Sequence, residues 1–426
     1  MTIAAKKDKL KAVFCGIVLE IEDDEPMTYR HGGIGIGTLN GSHVKCEWIQ
    51  INGEQDMNII FAADSFKGSL TSKEANEIMM QAAGDVYGEG EYHMILIADG
   101  GEGTLAAVQS GTSGYECREL CVTGPIGEPV RAHYLIRGDE AVIEMAEASG
   151  LPIVPVEKRN PLYATTKGTG ELMKAAIQDG ARNIYVGIGG SATNDGGIGA
   201  MTALGYRFLD CEGKELEGYG KDLDRIVTID DSGVMPELSD CAFTVMCDVK
   251  NPLCGPNGAT RVFGPQKGAV GKIGNELEQG MAHYQELLCR YSGEDISEVE
   301  GLGAAGGLGA ALYVFLKAQM RSGIDVLLDL TGFDHLLEHA DLVVSGEGKT
   351  DRQTLNGKVV AGIAKRCKKA GKPLYVVSGC LGSGIDALYD AGVTKMKACV
   401  DETVDIQDAM AHAKENLYKA AKSIFE

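Results

Sequence analysis

Apolar runs that alternate with helical stretches at both ends of the chain constrain the fold most strongly. The run "MNIIFAAD", which begins at Met57, precedes a helical pattern with Ser72 as the expected N-cap, and "HMILIAD" precedes a second helix that begins near Gly103. Towards the C-terminus the alternation returns with "DLVVSGEG", "KPLYVVSGC" and "KMKACV". Short continuous apolar runs are typical of parallel strands covered by helices on both faces. We therefore predict an α/β fold with a doubly wound, flavodoxin- or Rossmann-like parallel sheet built from both ends of the chain.

The middle of the chain has a different texture. The stretch "YECRELCVTGPIGEPVRAHYLIRGDEAVIEMA" consists of short alternating runs separated by Gly and Pro, which indicates an antiparallel or mixed sheet. We predict a discontinuous Rossmann-like domain of residues 57–118 and 325–426, with an inserted glycine-rich α/β domain of residues 119–324. Residues 1–56 form an N-terminal extension whose role the sequence does not indicate. Ligands of open α/β sheets bind beyond the carboxyl ends of the strands, so we expect a cleft between the two domains.

The composition of the chain limits the kinds of partner that it can bind. The formal net charge of -21 opposes binding to nucleic acid, because such binding depends on Lys and Arg that neutralise phosphates. The 12 cysteines include no CxxC pair and lie mostly in apolar runs, which favours reduced thiols and a cytoplasmic protein. No apolar run approaches the length of a membrane span, so we expect no membrane partner. The sequence leaves the oligomeric state open, with a homodimer as one of the assemblies it allows.

Several glycine-rich loops resemble nucleotide-binding motifs. "VSGEGKTD" places Gly348, Lys349 and Thr350 as in a Walker A motif, but the first glycine of that motif would fall on Val343 inside the strand, so we reject a P-loop. The run "GIGGSATNDGG" offers Gly187, Gly189 and Ala192 in dinucleotide-fingerprint spacing, with Asp210 further on as a ribose-binding acid. A dinucleotide-dependent oxidoreductase is therefore the first alternative. The carboxylate of Asp195 argues against it, because it would face a bound pyrophosphate.

Two further motifs allow other interpretations. The small residues of "GLGAAGGLGAAL", which include Gly306 and Gly307, open an apolar helix where backbone N–H groups can hold phosphate oxygens, although tight helix packing explains them equally well. In "HLLEH", His335, Glu338 and His339 match the pattern of an inverted zinc peptidase. A solvated helix face explains these three residues more simply. A zinc protein is thus the second alternative.

Acidic and polar residues recur directly after the apolar strands. Any single one of them is explained by turn or cap chemistry, but their repetition at strand ends predicts a shared cleft. Together with three lysines they suit phosphoryl transfer, which needs Mg²⁺ ligands, cations for the phosphates and a base for the attacking hydroxyl. With the glycines of the two loops described above, the candidate site residues are Asp64, Ser65, Lys67, Asp99, Glu102, Gly189, Gly190, Ser191, Asn194, Asp195, Asp248, Asn251, Lys267, Gly306, Gly307, Glu347, Asp351 and Lys358.

At these residues the sequence resembles the bacterial type-1 glycerate kinases. The segments that match are "DSFKGS", "ADGGEGT", "EMAEASGL", "GTGEL", "GIGGSATNDGG", "CDVKNPLCG", "FGPQKGA", "GAAGGLGAAL" and "GEGKTDRQTLNGK", and they follow the family order from Met57 to Glu426. Long, uncommon strings make this match specific. Ala63 and Lys349 depart from the usual pattern, in which proline and arginine are common at those places.

The resemblance implies an ATP- and Mg²⁺-dependent kinase that converts D-glycerate to phosphoglycerate, with 2-phosphoglycerate favoured over 3-phosphoglycerate, in organic acid catabolism. It implies Asp248 as the base that takes the proton of the glycerate hydroxyl. Asp195 and Asp351 are the candidates for Mg²⁺, with Asp195 also counted as catalytic. Asp64 and Lys67 would hold substrate or close the cleft, and Lys67 is the third catalytic candidate. The remaining residues named above are expected to bind substrate or nucleotide.

Overall fold

A computed structural model of the chain describes residues 2–6, 9–14, 17–22, 52–53, 57–98, 100–355, 359–401 and 404–426. Asp99 and Lys358, both predicted to bind ligand, lie outside the described residues. The strands are β1 (Thr2–Lys6), β2 (Lys9–Phe14), β3 (Ile17–Glu22), β4 (Asn52–Gly53), β5 (Met57–Phe61), β6 (Gly90–Met94), β7 (Glu116–Thr123), β8 (Pro129–Arg137), β9 (Glu140–Glu144), β10 (Asn183–Gly187), β11 (Arg207–Leu209), β12 (Thr228–Asp230), β13 (Ala242–Met246), β14 (Gln319–Arg321), β15 (Leu342–Thr350), β16 (Leu374–Leu381) and β17 (Lys395–Ala398).

The α-helices of the described residues lie between these strands, and short 3₁₀ turns add to them. The α-helices are α1 (Ser72–Tyr87), α2 (Thr104–Gly111), α3 (Ala146–Ser149), α4 (Lys167–Gln178), α5 (Ile198–Ala203), α6 (Ala259–Phe263), α7 (Gly271–Ser292), α8 (Leu308–Leu316), α9 (Gly323–Leu330), α10 (Phe333–His339), α11 (Val359–Ala370), α12 (Asp386–Ala391), α13 (Ile406–Ala411) and α14 (Ala413–Phe425). Two 3₁₀ turns, Ala304–Gly307 and Arg352–Leu355, matter for the site.

The first sheet is wholly parallel and combines strands from both ends of the chain. Its order is β17-β16-β15-β5-β6, and each neighbouring pair is parallel. Numbered by their sequence within this sheet, the strands lie in the order 2-1-3-4-5, which is the flavodoxin-like arrangement. The predicted α/β class with a parallel sheet is confirmed. The order reverses between β5 and β15, and this switch point is where a ligand crevice is expected.

The second sheet is mixed, as the texture of the middle of the chain predicts. Its order is β14-β13-β10-β9-β8-β7, where the pairs from β14 to β9 are parallel and β8 pairs antiparallel with both neighbours. A small antiparallel pair, β11 and β12, lies apart from it. In the N-terminal extension the backbone of β1 to β4 forms a further sheet in the order β3-β2-β1-β4.

The buried apolar residues connect the two large sheets. One core cluster contains Ile60 and Val343 from the first sheet together with Leu135, Val142 and Met246 from the second. Buried aliphatic side chains of this kind each contribute about 1.5–3 kcal/mol on leaving water. The two sheets therefore share an apolar layer, which fixes the loops at their carboxyl ends relative to one another.

The start of α1 corrects one local prediction. Ser72 is the first helical residue, and the N-cap is Thr71, which has extended backbone angles and accepts the Glu74 N–H at 3.2 Å. The Glu74 carboxylate in turn accepts the Thr71 N–H at 3.1 Å, which completes a capping box. The Ser72 hydroxyl is used elsewhere: it donates to the Ala63 carbonyl at 2.6 Å and accepts the Ile97 N–H at 3.1 Å. It thereby fixes the loops that follow β5 and β6.

Candidate active site

The loop after β5 begins at the switch point of the first sheet. The Asp64 N–H donates to the Gly346 carbonyl of β15 at 2.9 Å, which continues the pairing of the two strands beyond Phe61. The Asp64 carboxylate accepts the Ser65 N–H at 2.6 Å, and both residues are partly exposed. Lys67 is exposed on the same loop. The predicted residues of this loop therefore lie at the expected crevice with their polar groups accessible.

The end of β15 presents one enclosed and one accessible carboxylate. Glu347 is buried, and its Oε1 accepts the hydroxyls of Thr350 at 3.0 Å and Thr354 at 2.7 Å. Asp351 is partly exposed, and its Oδ1 accepts the Gln353 N–H at 2.8 Å. Glu347 therefore stabilises the turn after β15 through hydrogen bonds, while Asp351 faces the open space beyond the strand.

A cavity of about 550 Å³ lies at the carboxyl ends of β15 and β16. Asp351, Arg352, Gln353, Leu355 and Ser383 line it. A cavity of this size is typical of small-molecule sites. Arg352 belongs to the "DRQTLNGK" run that the sequence analysis used, although no role was predicted for it.

The loop after β6 joins the first sheet to the second. The Gly189 N–H donates to the Gly100 carbonyl at 3.0 Å, and a Cβ on Gly189 would lie 2.6 Å from the Cα of Gly101. Only glycine permits this close approach. Glu102 is exposed directly beside this contact, and a Cβ on Gly190 would lie 3.4 Å from its Oε1. The contact therefore brings Glu102 of the first part of the chain to the glycine loop after β10.

Glu144 is a site residue that the sequence analysis missed. It ends β9, is buried, and accepts the N–H groups of Gly103 and Leu105 at the start of α2, both at 3.1 Å. Burial raises the pKa of Glu144, and the two N–H donors oppose that shift. An acid at a strand end was the signal used elsewhere, and it stands in the "EMAEASGL" segment. This carboxylate orients the loop that presents Glu102.

Lys267 is enclosed beside the loop after β10. Its side chain is 2% exposed, and its ammonium donates to the Ser191 hydroxyl at 2.6 Å and to the Thr193 carbonyl at 2.7 Å. Burial lowers the pKa of Lys267 to about 7, and the charge of Asp195 partly opposes this. The residue therefore anchors the 189–195 loop and carries a proton that titrates near neutrality.

Asp195 is fully buried and accepts four hydrogen bonds. Its donors are the Thr166 N–H at 2.7 Å, the Thr166 hydroxyl at 2.8 Å, the Gly197 N–H at 3.2 Å and the Gly199 N–H at 3.3 Å. Oδ2 accepts the Thr166 and Gly199 donors and Oδ1 accepts the Gly197 N–H, so donors of the chain engage both oxygens. Burial raises the pKa of Asp195, and the hydrogen bonds oppose that shift. The side chain thus ties the start of α4 to the start of α5.

The turn before α8 packs directly onto the same loop. Ala305, Gly306 and Gly307 all have positive φ, and the Gly196 N–H donates to the Gly306 carbonyl at 2.9 Å. A Cβ on Gly306 would lie 2.1 Å from the Thr193 carbonyl oxygen. Asn194 is also buried there, donating to Thr260 at 3.1 Å, while its Oδ1 has no hydrogen-bond partner among the described residues. The glycines of the "GAAGGL" segment therefore serve close packing at this turn.

The loop after β13 presents Asp248. Its side chain is exposed, and its Oδ1 accepts the Gly323 N–H at the start of α9 at 3.0 Å. Asn251 lies in the same loop and is partly exposed, and its side-chain amide donates to the Asn257 carbonyl at 2.7 Å. The Asn251 carbonyl accepts the Gly303 N–H at 3.0 Å, next to the turn before α8.

The predicted site residues form two groups connected through the loop after β6. The first, around the switch point, contains Asp64, Ser65, Lys67, Glu347 and Asp351. The second, around the loop after β10, contains Glu102, Gly189, Gly190, Ser191, Asn194, Asp195, Asn251, Lys267, Gly306 and Gly307. Asp248 is connected to both sheets. It follows β13 of the second sheet, and its carboxylate accepts an N–H at the start of α9. Side chains of α9 belong to the core cluster that both sheets share.

The dinucleotide alternative does not fit this geometry. A bound pyrophosphate requires a helix that begins at the glycine loop, whereas α5 begins only at Ile198 and is six residues long. The space in front of Gly187 and Gly189 is filled by the backbone of Gly100 and Gly101. Asp210 is engaged in its own turn, where it accepts the N–H groups of Glu212 and Lys214, each at 3.0 Å.

The zinc alternative rests on an exposed surface cluster. The donor atoms of His335, Glu338 and His339 lie within 4.8 Å of one another on α10, and all three side chains are exposed. This helix precedes β15, so the cluster lies near the amino end of that strand, away from the carboxyl-end cavity. The geometry permits a surface metal ion but places it apart from the candidate active site.

The fold and site define an α/β protein whose acidic and basic loops meet at the carboxyl ends of parallel strands. Among the described residues, every helix is too short or too polar to span a bilayer. A family model described as "Glycerate kinase family" matches residues 59–426. The chain belongs to the glycerate kinase family.

Individual relatives agree with this assignment. Over 370 residues the chain is 44% identical to the glycerate kinase of Bacillus subtilis and 42% identical to the glycerate 2-kinase of Escherichia coli, in each case covering 86% of this chain and 97% of the relative. A crystal structure from Salmonella typhimurium LT2, of a chain described as a glycerate kinase 2, superimposes with a TM-score of 0.74 at 39% identity and covers 87% of this chain and 98% of that one.

Proposed function

We propose that this protein is an ATP-dependent glycerate kinase that converts D-glycerate to 2-phosphoglycerate in organic acid catabolism. The observation that supports it best is the match of the family model to residues 59–426, which includes every predicted site residue. The positions of Asp64, Lys67 and Asp351 at the switch point agree with a phosphate-binding crevice. The ten described cysteines form no disulfide among themselves, and we propose a cytoplasmic enzyme from the scattered positions of the cysteines in the sequence.

The proposal includes the domain division predicted from the sequence. Residues 57–118 and 325–426 would form the discontinuous Rossmann-like domain, and residues 119–324 the inserted domain, with the reaction in the cleft between them. The contact of Gly100 with Gly189 supports this arrangement, because it joins a loop of one part to a loop of the other. Substrate held there would have access to acids from both sheets.

Asp248 is the proposed base. Phosphoryl transfer requires a group that accepts the proton of the attacking hydroxyl. The Asp248 side chain is exposed to an incoming substrate, and the N–H at the start of α9 fixes one of its oxygens. The hydroxyl proton of glycerate would pass to this carboxylate as the glycerate oxygen attacks the γ-phosphorus of ATP, and ADP would leave as the bond from that phosphorus to the bridging oxygen breaks.

Of the two residues predicted to bind Mg²⁺, one has a carboxylate that is accessible to an ion. Asp351 lines the cavity, and only one of its oxygens accepts a hydrogen bond from the described residues. Asp195 does not fit, because its carboxylate is fully buried and hydrogen bonds from the chain engage both of its oxygens. When bound, the ion would neutralise charge on the β- and γ-phosphates. We therefore propose Asp351 as a metal ligand and Asp195 as a residue that positions the loop after β10.

The two described lysines of the candidate site also have different proposed roles, one at the ligand and one within the protein. Lys67 is exposed at the crevice and is proposed to bind phosphate or substrate. Lys267 is turned inward to Ser191 and Thr193, so we propose that it holds the glycine loop in place. Both contributions serve preorganised binding of a highly charged substrate.

A coupled assay of ADP release tests the proposed function. The folded protein, supplied with Mg²⁺ and ATP, should release ADP at a rate that depends on D-glycerate. Absence of turnover on both enantiomers of glycerate would overturn the proposal. Binding of NAD in place of ATP, measured by calorimetry, would favour the oxidoreductase alternative.

A further inference from the structure

Arg352 is the one cationic residue among the described residues that line the cavity beyond β15. The others are Asp351, Gln353, Leu355 and Ser383. Its guanidinium makes no hydrogen bond or ion pair with the described part of the chain, and its stem packs beside Gly384, where an added Cβ would lie 3.1 Å from the Cβ of Arg352. Five N–H donors thus remain available to a ligand in this cavity.

Arg366, in contrast to Arg352, is an arginine with a structural role in this fold. The guanidinium of Arg366 lies 2.7 Å from Asp329, 2.9 Å from Asp334 and 3.7 Å from Asp325, so acids of α9 and α10 neutralise it. Its donors are consumed within the protein, and it ties α11 to these helices. Arg352 has none of these partners, so stabilisation of the fold does not account for it.

The backbone around Arg352 is held in a defined conformation. The Arg352 N–H donates to the Ser383 carbonyl at 3.2 Å, and the Gly382 N–H donates to the Thr350 carbonyl at 2.8 Å. Thr354, from the same 3₁₀ turn, is buried and donates to Glu347 at 2.7 Å. The turn therefore presents the arginine from a fixed base, which reduces the ordering cost of binding.

We infer that Arg352 binds an oxyanionic group of the substrate pair in this cavity, either a phosphate of the nucleotide or the carboxylate of the hydroxy acid. A planar guanidinium suits both groups, because it can donate two parallel hydrogen bonds to two oxygens. The cavity lies at the carboxyl ends of β15 and β16, on the side of the parallel sheet where ligands bind. This inference rests on the proposed kinase function and adds a binding residue to it.

Steady-state kinetics of Arg352→Gln and Arg352→Lys test the inference. Arg131→Gln is a matched control, because Arg131 is 79% exposed and pairs at the surface with Glu119 at 3.5 Å. We expect Arg352→Gln to raise the KM of one substrate by about tenfold or more, because charge-assisted hydrogen bonds are lost. Arg352→Lys should give a smaller rise, and the melting temperatures of all variants should match that of the unaltered protein. A rise in the KM of ATP assigns the phosphate, and a rise in the KM of glycerate assigns the carboxylate.

The KM values of both substrates staying within about twofold in Arg352→Gln would overturn the inference, since the loss of a bidentate donor exceeds that change. Calorimetric binding of ADP, inorganic phosphate and glycerate to the unaltered protein and to Arg352→Gln separates the two proposals. If the unaltered protein does not phosphorylate glycerate, the proposed function fails, and the binding data decide on Arg352 alone. Equal affinities of both proteins for all three probes would then contradict the role of Arg352.

Discussion

Lys267 and Asp195 show how burial changes the roles of charged residues in this family member. Sequence position alone groups both with the acids and lysines that meet a ligand. In the structure both side chains are buried. Lys267 donates to Ser191 and Thr193 of the loop after β10, and Asp195, in the same loop, accepts the Thr166 N–H. The sequence could not reveal this, because Thr166 and Asp195 are partners across 29 residues. Asp248 and Lys67 remain exposed, which agrees with their predicted contact with substrate.

The titration of Lys267 gives a prediction on stability. Burial lowers its pKa from 10.5 to about 7 in the folded chain, so between those values the unfolded chain holds a proton that the folded chain has lost. Stability must then rise with pH in this window, by at most about 1.4 kcal/mol per pH unit. Relative to Lys267→Met, the unaltered protein should therefore gain free energy of unfolding as pH increases from 7 to 9, measured by urea denaturation.

The exposed Lys174 of α4 supplies the control for this measurement. Lys174→Met should show the same pH dependence as the unaltered protein. A constant difference in unfolding free energy between the unaltered protein and Lys267→Met at all pH values would contradict a buried, titrating Lys267.

Asp248→Asn tests the proposed base at the level of one atom. The amide oxygen can still accept the Gly323 N–H, so the fold and ATP binding should be retained, but the side chain can no longer take up a proton. We expect kcat to fall by about 10²- to 10⁴-fold, the usual contribution of general base catalysis. Asp240→Asn, at an exposed position of the second half, should leave kcat unchanged. Near-normal turnover by Asp248→Asn would remove this residue from the base role.

At the level of elements, the sequence predicts strands more reliably than the contacts between loops. The apolar runs of β5, β15 and β16 were recognisable, because a strand buried on both faces needs a continuous apolar sequence. The prediction of Ser72 as the N-cap of α1 is wrong by one residue: Thr71 has an equally suitable hydroxyl, and Glu74 three positions after it completes a capping box that Ser72 could not form. Glu144 could have been found, because it is an acid at the end of β9.

The turn before α8 gives a prediction at this scale. Gly306 and Gly293 both have positive φ, but an added Cβ has nothing within 4 Å at Gly293 and would lie 2.1 Å from the Thr193 carbonyl oxygen at Gly306. Gly293→Ala should therefore lose only about 1–2 kcal/mol from backbone strain. Gly306→Ala should lose about 2–3 kcal/mol more, because the loop after β10 must move. Equal losses in chemical denaturation would show that this turn does not pack on the loop as described.

At the level of the whole molecule, the two sheets are joined by an apolar core cluster and by the contact of Gly100 with Gly189. The parallel sheet built from both chain ends was predictable from periodicity, and the mixed sheet from its Gly- and Pro-punctuated runs. The docking of the loop after β6 onto the second sheet was not, because it depends on two glycine backbones that meet across 89 positions, a separation that leaves no local pattern. This docking brings Glu102 beside Gly190 of the loop after β10.

We expect these loops to bind ATP and D-glycerate and to support transfer of a phosphoryl group between them. ³¹P NMR of the protein with ATP, Mg²⁺ and D-glycerate measures this transfer and identifies the product in one experiment. The γ-phosphate signal of ATP should decrease while the signals of ADP and 2-phosphoglycerate increase in equal amounts. Release of inorganic phosphate alone, or an unchanged ATP spectrum with folded protein, would contradict it.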